Sequence, residues 1–212
     1  MTTRPLDRII PREARRPRRP LAFLGRLPLA RARIHEFCGP ARHALALMAA
    51  QATEGPVLWI RPAWLAEDLL PQGILPFTDP GRLLLVRPRR AEDLLWCLEE
   101  TLRSGAAALA VAELAEPPAL TPVRRLLLAA ETGAGTGPAT PTGLILTPAA
   151  GGAAGIDSRW HATPLPGGGS RLWRLDILRS RDGTGGSWQI AARSNGRGAT
   201  LTRLSRDPGN PP

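Results

Sequence analysis

At 212 residues, with 43% hydrophobic residues, the chain can bury a sizeable core, so disorder throughout its length is excluded. Every one of its 28 basic residues is arginine, and with 18 acidic residues the formal net charge is +10. Cys38 and Cys97 lie in apolar stretches, which predicts buried thiols in a reducing cytoplasm, and no apolar run reaches the ~18 residues that span a membrane.

The positive charge is concentrated at the two ends of the chain. Residues 1–33 hold ten arginines and two acidic residues, and residues 158–206 hold nine arginines and two acidic residues. Between them, residues 34–157 hold nine arginines and thirteen acidic residues. Basic ends of this kind either contact nucleic acid or an acidic partner, or are solvated tails, and composition alone leaves both readings open.

Residues 1–30 are rich in proline and arginine and have neither a helical nor a strand period. This composition predicts a disordered or loosely docked basic arm. The stretch Leu21–Gly25 after a basic run imitates a signal peptide, but Arg26 and Pro28 interrupt its apolar part.

From Ile34 onward, short apolar runs alternate with helical patterns. Helices are expected after Pro40, weakly over Trp64–Leu70, around Leu94–Leu102 up to a cap at Gly105, and from an N-cap at Thr121 to Gly133. Apolar runs without alternation are typical of parallel strands buried on both faces. The runs are Ile34–Cys38, Val57–Ile60, Leu83–Val86, Leu109–Ala112 and Leu144–Leu146. The pattern predicts an α/β fold with a parallel sheet flanked by helices, over residues 31–150.

After residue 150 the pattern changes to strands separated by glycine-rich turns. The expected strands are Arg159–Thr163, Arg171–Arg179, Ser187–Ala192 and Thr200–Leu204. They predict an antiparallel extension of the sheet over residues 151–206, followed by a disordered tail at 207–212.

The stretch Ala32–Pro40 resembles the strand and turn that lead into the phosphate loop of RecA. The resemblance implies a loop shortened after Gly39 and Pro40, with Arg42 in place of the phosphate-binding lysine and His43 in place of the Mg²⁺-binding hydroxyl. A shortened loop cannot wrap a phosphate, and imidazole is a poor Mg²⁺ ligand. Glu113 follows the strand after which a metal-binding Asp would be expected. We therefore predict a degenerate nucleotide site, with no cofactor, no metal and no catalytic residues.

Four further stretches are similar to the ImuA-like proteins, to which the SulA-like cell-division inhibitors are related. They are Leu94–Ala106, Arg124–Gly133, Ser158–His161 and Arg171–Gly183 followed by Ser187-Trp188. The resemblance implies a non-catalytic adaptor in damage-induced translesion DNA synthesis, cytoplasmic and nucleoid-associated. Its implied partners are an ImuB-like protein, an error-prone C-family polymerase and RecA. The alternatives are a SulA-like inhibitor of cell division and a weak ATPase that uses Arg42 and Glu113.

The basic C-terminal strands are the candidate surface for a partner or for DNA. Arginines interleaved with aromatic residues can stack on bases, or their stems can cover aromatic rings in an ordinary sheet. With regular alternation, Arg174 lies on the face opposite Trp173, whereas Arg179 and Arg181 share the face of Trp173. The full candidate set is Arg159, Trp160, Trp173, Arg174, Arg179, Arg181 and Trp188.

Overall fold

A computed structural model describes residues 19–167, 171–192 and 199–204. The strands are β1 Leu21–Phe23, β2 Leu27–Leu29, β3 Ile34–Cys38, β4 Val57–Ile60, β5 Leu83–Val86, β6 Leu109–Glu113, β7 Thr142–Leu146, β8 Ser158–Leu165, β9 Leu172–Ser180, β10 Gly186–Ala192 and β11 Ala199–Arg203. The helices are α1 Arg42–Gln51, α2 Pro71–Ile74, α3 Ala91–Ser104 and α4 Leu120–Thr136, with a 3-10 turn at Pro80–Arg82. None of the described helices is long and apolar enough to cross a membrane.

Within the described ranges, nine strands form one sheet in the order β11-β10-β9-β8-β3-β7-β6-β4-β5. The five predicted apolar runs are β3 to β7, and they pair in parallel, so the predicted α/β class is confirmed. Strands β3, β6 and β7 are buried along their whole length because helices cover both faces of the sheet there.

Two apolar cores lie on opposite faces of the sheet. Helix α1 and the β1–β2 hairpin cover one face, where Phe23, Phe37, Trp59 and Trp160 are fully buried. Helices α3 and α4 cover the other face, with residues such as Leu98. We call these the α1 face and the α3/α4 face. Because β3 to β7 are parallel, their carboxyl ends all lie at the same end of the sheet.

The packing of α3 against α4 explains one wrong helix boundary. Gly105 ends α3 with φ +60°, as predicted. Helix α4 begins at Leu120, so the predicted N-cap Thr121 is wrong and lies inside the helix, and α4 runs past the predicted end at Gly133 to Thr136. A Cβ on Gly133 would lie 2.0 Å from the Leu102 carbonyl oxygen. This glycine therefore permits close approach of the two helices rather than ending the second. Helix α3 also carries an ion pair between Glu99 and Arg103, one helical turn apart.

The predicted basic arm is wrong over part of its length. Strands β1 and β2 form an antiparallel hairpin in which Leu21, Phe23, Leu27 and Leu29 are buried against the α1 face. Residues 1–18 lie outside the described ranges. The weak helix over Trp64–Leu70 is also wrong, because that segment has no helix and the four-residue α2 begins at Pro71.

The four predicted C-terminal strands are confirmed as β8 to β11, which pair antiparallel with one another. Strand β8 nevertheless pairs parallel to β3, so the antiparallel part of the sheet starts only at β9. The pairing of β8 with β9 is irregular between Arg159 and Trp160, where the register shifts by a bulge. The predicted tail at 207–212 lies outside the described residues.

Candidate functional site

The turn after β3 is closed by the strand beside it. Gly39 has φ +85°, and its N–H donates to the Ala149 carbonyl at 2.9 Å. A Cβ at this position would lie 2.5 Å from the Ala162 carbonyl oxygen and 2.7 Å from His161 Nε2. Glycine is required here because strand β8 and its side chains occupy the space above the turn.

The remaining donors of this turn are also engaged within the protein. The Ala41 N–H donates to the Ala162 carbonyl at 3.0 Å, and Pro40 has no N–H to offer. Arg42 folds back on the turn, and both its backbone N–H, at 3.3 Å, and its guanidinium, at 3.1 Å, donate to the Gly39 carbonyl. The amides of Gly39, Ala41 and Arg42 thus all bond to the protein's own carbonyls.

A polar cluster lies at the carboxyl ends of β4 and β6, beside the start of α1. The indole N–H of Trp59 donates to Glu113 Oε1 at 2.7 Å, and His43 Nε2 lies 3.2 Å from Glu113 Oε2. Arg61 Nε lies 3.6 Å from Glu113 Oε1, and the His43 ring stacks on Trp59 with 6.5 Å between centroids. Two predicted site positions, His43 and Glu113, are therefore brought together, but as partners of each other.

The carboxylate of Glu113 is held in its charged form. Burial favours the neutral acid, yet hydrogen bonds from His43 and Trp59 and the nearby charge of Arg61 lower its pKa below the usual value. Each carboxylate oxygen already faces a protein donor. Among the described residues, no group of three or more His, Cys, Asp or Glu side chains could hold a metal ion.

A second buried charge was not predicted from the sequence. Glu36, in the middle of β3, is fully buried and forms an ion pair with Arg159 Nε at 2.5 Å. Its carboxylate also accepts from the Thr147 hydroxyl at 2.6 Å and from the N–H groups of Gly152, at 3.0 Å, and Ala153, at 3.2 Å. The available signal was an acidic residue inside an apolar strand run, which must find a partner when it is buried.

A third group of hydrogen-bonded polar side chains lies at the start of β8. His35 Nε2 lies 2.9 Å from the Ala30 carbonyl, which can only accept, so this nitrogen carries the proton. His35 Nδ1 then accepts from the Ser158 hydroxyl at 2.6 Å, and Ser158 Oγ accepts from the Trp160 indole N–H. Burial lowers the pKa of His35, so the imidazole is neutral. These bonds connect β8 to β3 and to the segment before β3.

The structure removes some candidate residues from the predicted contact surface and keeps others. Trp160 is fully buried, and Trp173 is buried beside Phe77, so neither is an exposed anchor. The Arg159 guanidinium is committed to Glu36 inside the molecule. Trp188 is partly buried beneath the guanidinium of Arg203. The candidates that keep exposed side chains are Arg174, Arg179 and Arg181.

The irregular pairing of β8 with β9 places Arg179 on a different face of the sheet from the one predicted. Trp160 is opposite Ile177, but Arg159 is opposite Arg179. Residues directly opposite each other in paired strands share a face, so Arg179 lies with Arg159 on the α3/α4 face. Arg174 is also on that face, away from Trp173, so the prediction that Arg179 shares the face of Trp173 is wrong.

The α3/α4 face of β8 to β11 presents a polar surface. One row across the four strands consists of Thr163, Arg174, Gln189 and Thr202. Arg174 pairs with Asp176 at 3.0 Å on its own strand. The side chain of Arg181 reaches the Gly155 carbonyl at 3.4 Å. We call this the C-terminal polar face, and exposed Arg179 is part of it.

No family model matches the chain. Two curated relatives do match, both called Protein ImuA, from Caulobacter vibrioides strains NA1000/CB15N and ATCC 19089/CIP 103742/CB 15. Each is 35% identical over 168 residues, which cover 71% of this chain and 66% of the relative. The chain thus spans about two thirds of the length of these relatives.

Proposed function

This chain belongs to the ImuA family, and on that premise we propose that it is a non-catalytic accessory protein of damage-induced translesion DNA synthesis. In this proposal it is an adaptor that binds an ImuB-like protein, an error-prone C-family polymerase and RecA. Its contribution is to hold proteins together on DNA, and it carries out no chemical step itself.

The observation that carries the non-catalytic part of the proposal is the closed turn after β3. The N–H groups of Gly39 and Ala41 already donate to carbonyl groups of the protein. A triphosphate would have to displace both bonds and would meet β8 directly above Gly39. The residues present therefore do not fit a nucleotide bound at this turn, and neither Arg42 nor His43 is free to replace the missing lysine and hydroxyl.

Calorimetric titration tests this part directly. Mg-ATP is titrated into the wild-type protein and into Arg42→Ala, at nucleotide concentrations up to the millimolar range of the cell. We expect no saturable heat with either protein. Micromolar binding that Arg42→Ala abolishes would instead favour the ATPase alternative.

The C-terminal polar face is our candidate for the contact with a protein partner or DNA. Arg179 and Arg181 are exposed at one end of it, and arginine is enriched at binding hot spots because its planar fork makes several directed hydrogen bonds. The buried ion pair of Glu36 and Arg159 lies on the same face of the sheet, where Arg159 is opposite Arg179 in the pairing of β8 with β9. Partner binding through Arg179 and Arg181 should then need no change in the fold.

Pairwise co-purification with each proposed partner tests the contact. The variant is Arg179→Ala with Arg181→Ala, and the matched control is Arg26→Ala with Arg124→Ala, which removes the same charge from two exposed positions away from this face. We expect at least about tenfold weaker recovery of one partner with the first variant only, the loss typical of a hot-spot pair. If DNA is the ligand, its affinity should fall steeply with salt. Equal recovery with both variants, and no DNA binding by wild type, would contradict the assignment of this face.

A further inference from the structure

The two edge strands of the main sheet differ in how they are protected. Strand β11, at one edge, reads Ala-Thr-Leu-Thr-Arg, and its Arg203 covers Trp188. Strand β5, at the other edge, reads Leu-Leu-Leu-Val, with no charge and no proline. Natural proteins normally protect an edge strand with charges, prolines or bulges, because its free N–H and C=O groups pair readily with another chain.

The apolar side chains of β5 are exposed on both faces of the sheet. Leu84 is 51% exposed and Leu85 is 46% exposed. Their register partners in β4 are Leu58 and Trp59, and Trp59 belongs to the core of the α1 face. Leu85 therefore lies on the α1 face and Leu84 on the α3/α4 face. No described residue pairs with the outer edge of β5.

Positive charge flanks this apolar edge. Arg87, Arg89 and Arg90 follow β5 directly and are exposed. Arg87 forms an ion pair with Asp68, whereas no ion pair of Arg89 or Arg90 occurs among the described residues. Glu92 and Asp93 follow in the first turn of α3, so residues 87–93 hold three arginines and two acidic residues, and the remaining positive charge favours an acidic group beside Arg89 and Arg90.

We propose that the β5 edge is a docking site for an extended segment of a partner protein, which adds to the sheet as a tenth strand. Such binding takes its affinity from main-chain hydrogen bonds and its specificity from side chains on the two faces. The segment would carry apolar side chains on both faces, to cover Leu84 and Leu85. It would also carry Asp or Glu at the end that meets Arg89 and Arg90. This site lies at the opposite edge of the sheet from the C-terminal polar face and does not depend on the function proposed above.

Charge argues against the other possible occupants. A second copy paired antiparallel along β5 would bring Arg87–Arg90 of each chain beside Arg82 of the other, with Asp79, Glu92 and Asp93 as the acidic residues nearby in sequence. The segments outside the described ranges are also unsuited. Residues 1–18 hold six arginines and two acidic residues, and residues 205–212 hold no aliphatic or aromatic side chain. An acidic, apolar segment of another protein is the occupant that the charges favour.

Selection from a display library of random ten-residue peptides tests the proposal. Wild-type protein is the bait, and the variant Leu84→Lys with Leu85→Lys is used for counter-selection, because lysine is a natural protection of edge strands. We expect enriched peptides with β-branched or other apolar residues and an Asp or Glu at one end. Binding of a selected peptide, followed by fluorescence anisotropy, should weaken at least about tenfold in the lysine variant and in Arg89→Glu with Arg90→Glu.

Three controls decide between strand addition and unspecific adhesion. Leu128→Lys changes a leucine on α4 that is 64% exposed and should leave affinity unchanged. Methylation of alternate peptide amides should abolish binding, because it removes main-chain donors. Bound peptide should slow hydrogen exchange of the amides in Leu83–Val86. The proposal is overturned if no peptide is enriched, if the lysine variant binds equally well, or if methylated peptide binds as tightly. A concentration-dependent dimer that Leu84→Lys with Leu85→Lys dissociates would assign the edge to a second copy.

Discussion

Replacing Arg159 by methionine should destabilise the protein strongly, although arginines on a sheet surface usually contribute little. Glu36 is fully buried, and Arg159 is its charged partner. In Arg159→Met the carboxylate keeps its bonds from Thr147 and two backbone amides but loses its counter-charge. Breaking a buried ion pair by removing one partner costs roughly 3–5 kcal/mol, because an uncompensated charge stays buried. That is a large fraction of the 5–15 kcal/mol by which domains are typically stable.

Urea unfolding followed by tryptophan fluorescence measures this loss. The matched control is Arg174→Met, because Arg174 is half exposed and its ion pair with Asp176 should contribute at most about 1 kcal/mol. If Arg159→Met does not fold, Thr147→Val offers a milder test, since it removes one bond to the same carboxylate at a cost of about 1–3 kcal/mol. Equal midpoints for the two methionine variants would refute the reasoning and return Arg159 to the set of free surface arginines.

Three other predictions follow from the buried groups. Burial lowers the pKa of His35, so as the pH falls the unfolded chain takes up a proton at this residue before the native state does. The free energy of unfolding should therefore decrease below about pH 6.5, by at most about 1.4 kcal/mol per pH unit. In His35→Gln the urea unfolding midpoint should decrease less between pH 7 and pH 5 than it does in wild type. The stabilising contribution of the Glu113 carboxylate is lost only below about pH 4.5, so it does not affect this range. An equal decrease of the midpoint in both proteins would exclude His35 as the cause. Gly39→Ala should lower the free energy of unfolding by about 2 kcal/mol more than Gly25→Ala does, because both glycines have positive φ but only Gly39 is crowded by β8. Equal losses of stability in the two variants would mean that the space above the turn at Gly39 is open. Burial raises the pKa of the Cys38 thiol to about 12, so at pH 8 iodoacetamide should modify this residue only after unfolding, and rapid native labelling read by mass spectrometry would contradict its burial.

The sheet was predictable because its signals are local. Apolar runs without alternation, such as Ile34–Cys38, require cover on both faces, and this condition is enough to predict parallel strands between helices. The β1–β2 hairpin was missed for a physical reason. Its alternating Leu21, Phe23, Leu27 and Leu29 are a strand signal, but Pro28 and the surrounding arginines suggested disorder.

The site was less predictable because its contacts are distant in sequence. Glu36 and Arg159 are 123 positions apart, and no local pattern indicates that a basic C-terminal residue neutralises a charge on β3. The bulge beside Arg159 is equally invisible in the sequence, and it reverses the face on which Arg179 lies. The resemblance of Leu94–Ala106 and Arg171–Gly183 to the ImuA-like proteins did predict the family, which the relatives confirm. The likeness to RecA stays a prediction.

The most direct test of the central claim is the frequency of damage-induced mutation in cells that lack this gene. The deletion strain is complemented with wild type, with Arg42→Ala plus His43→Ala, and with Arg179→Ala plus Arg181→Ala, each at matched protein levels. An accessory role without nucleotide chemistry predicts that wild type and the first variant restore ultraviolet-induced mutation equally, whereas the second variant restores little. Loss of mutagenesis in the first variant alone, or an induced mutation frequency that does not depend on the gene at all, would contradict it.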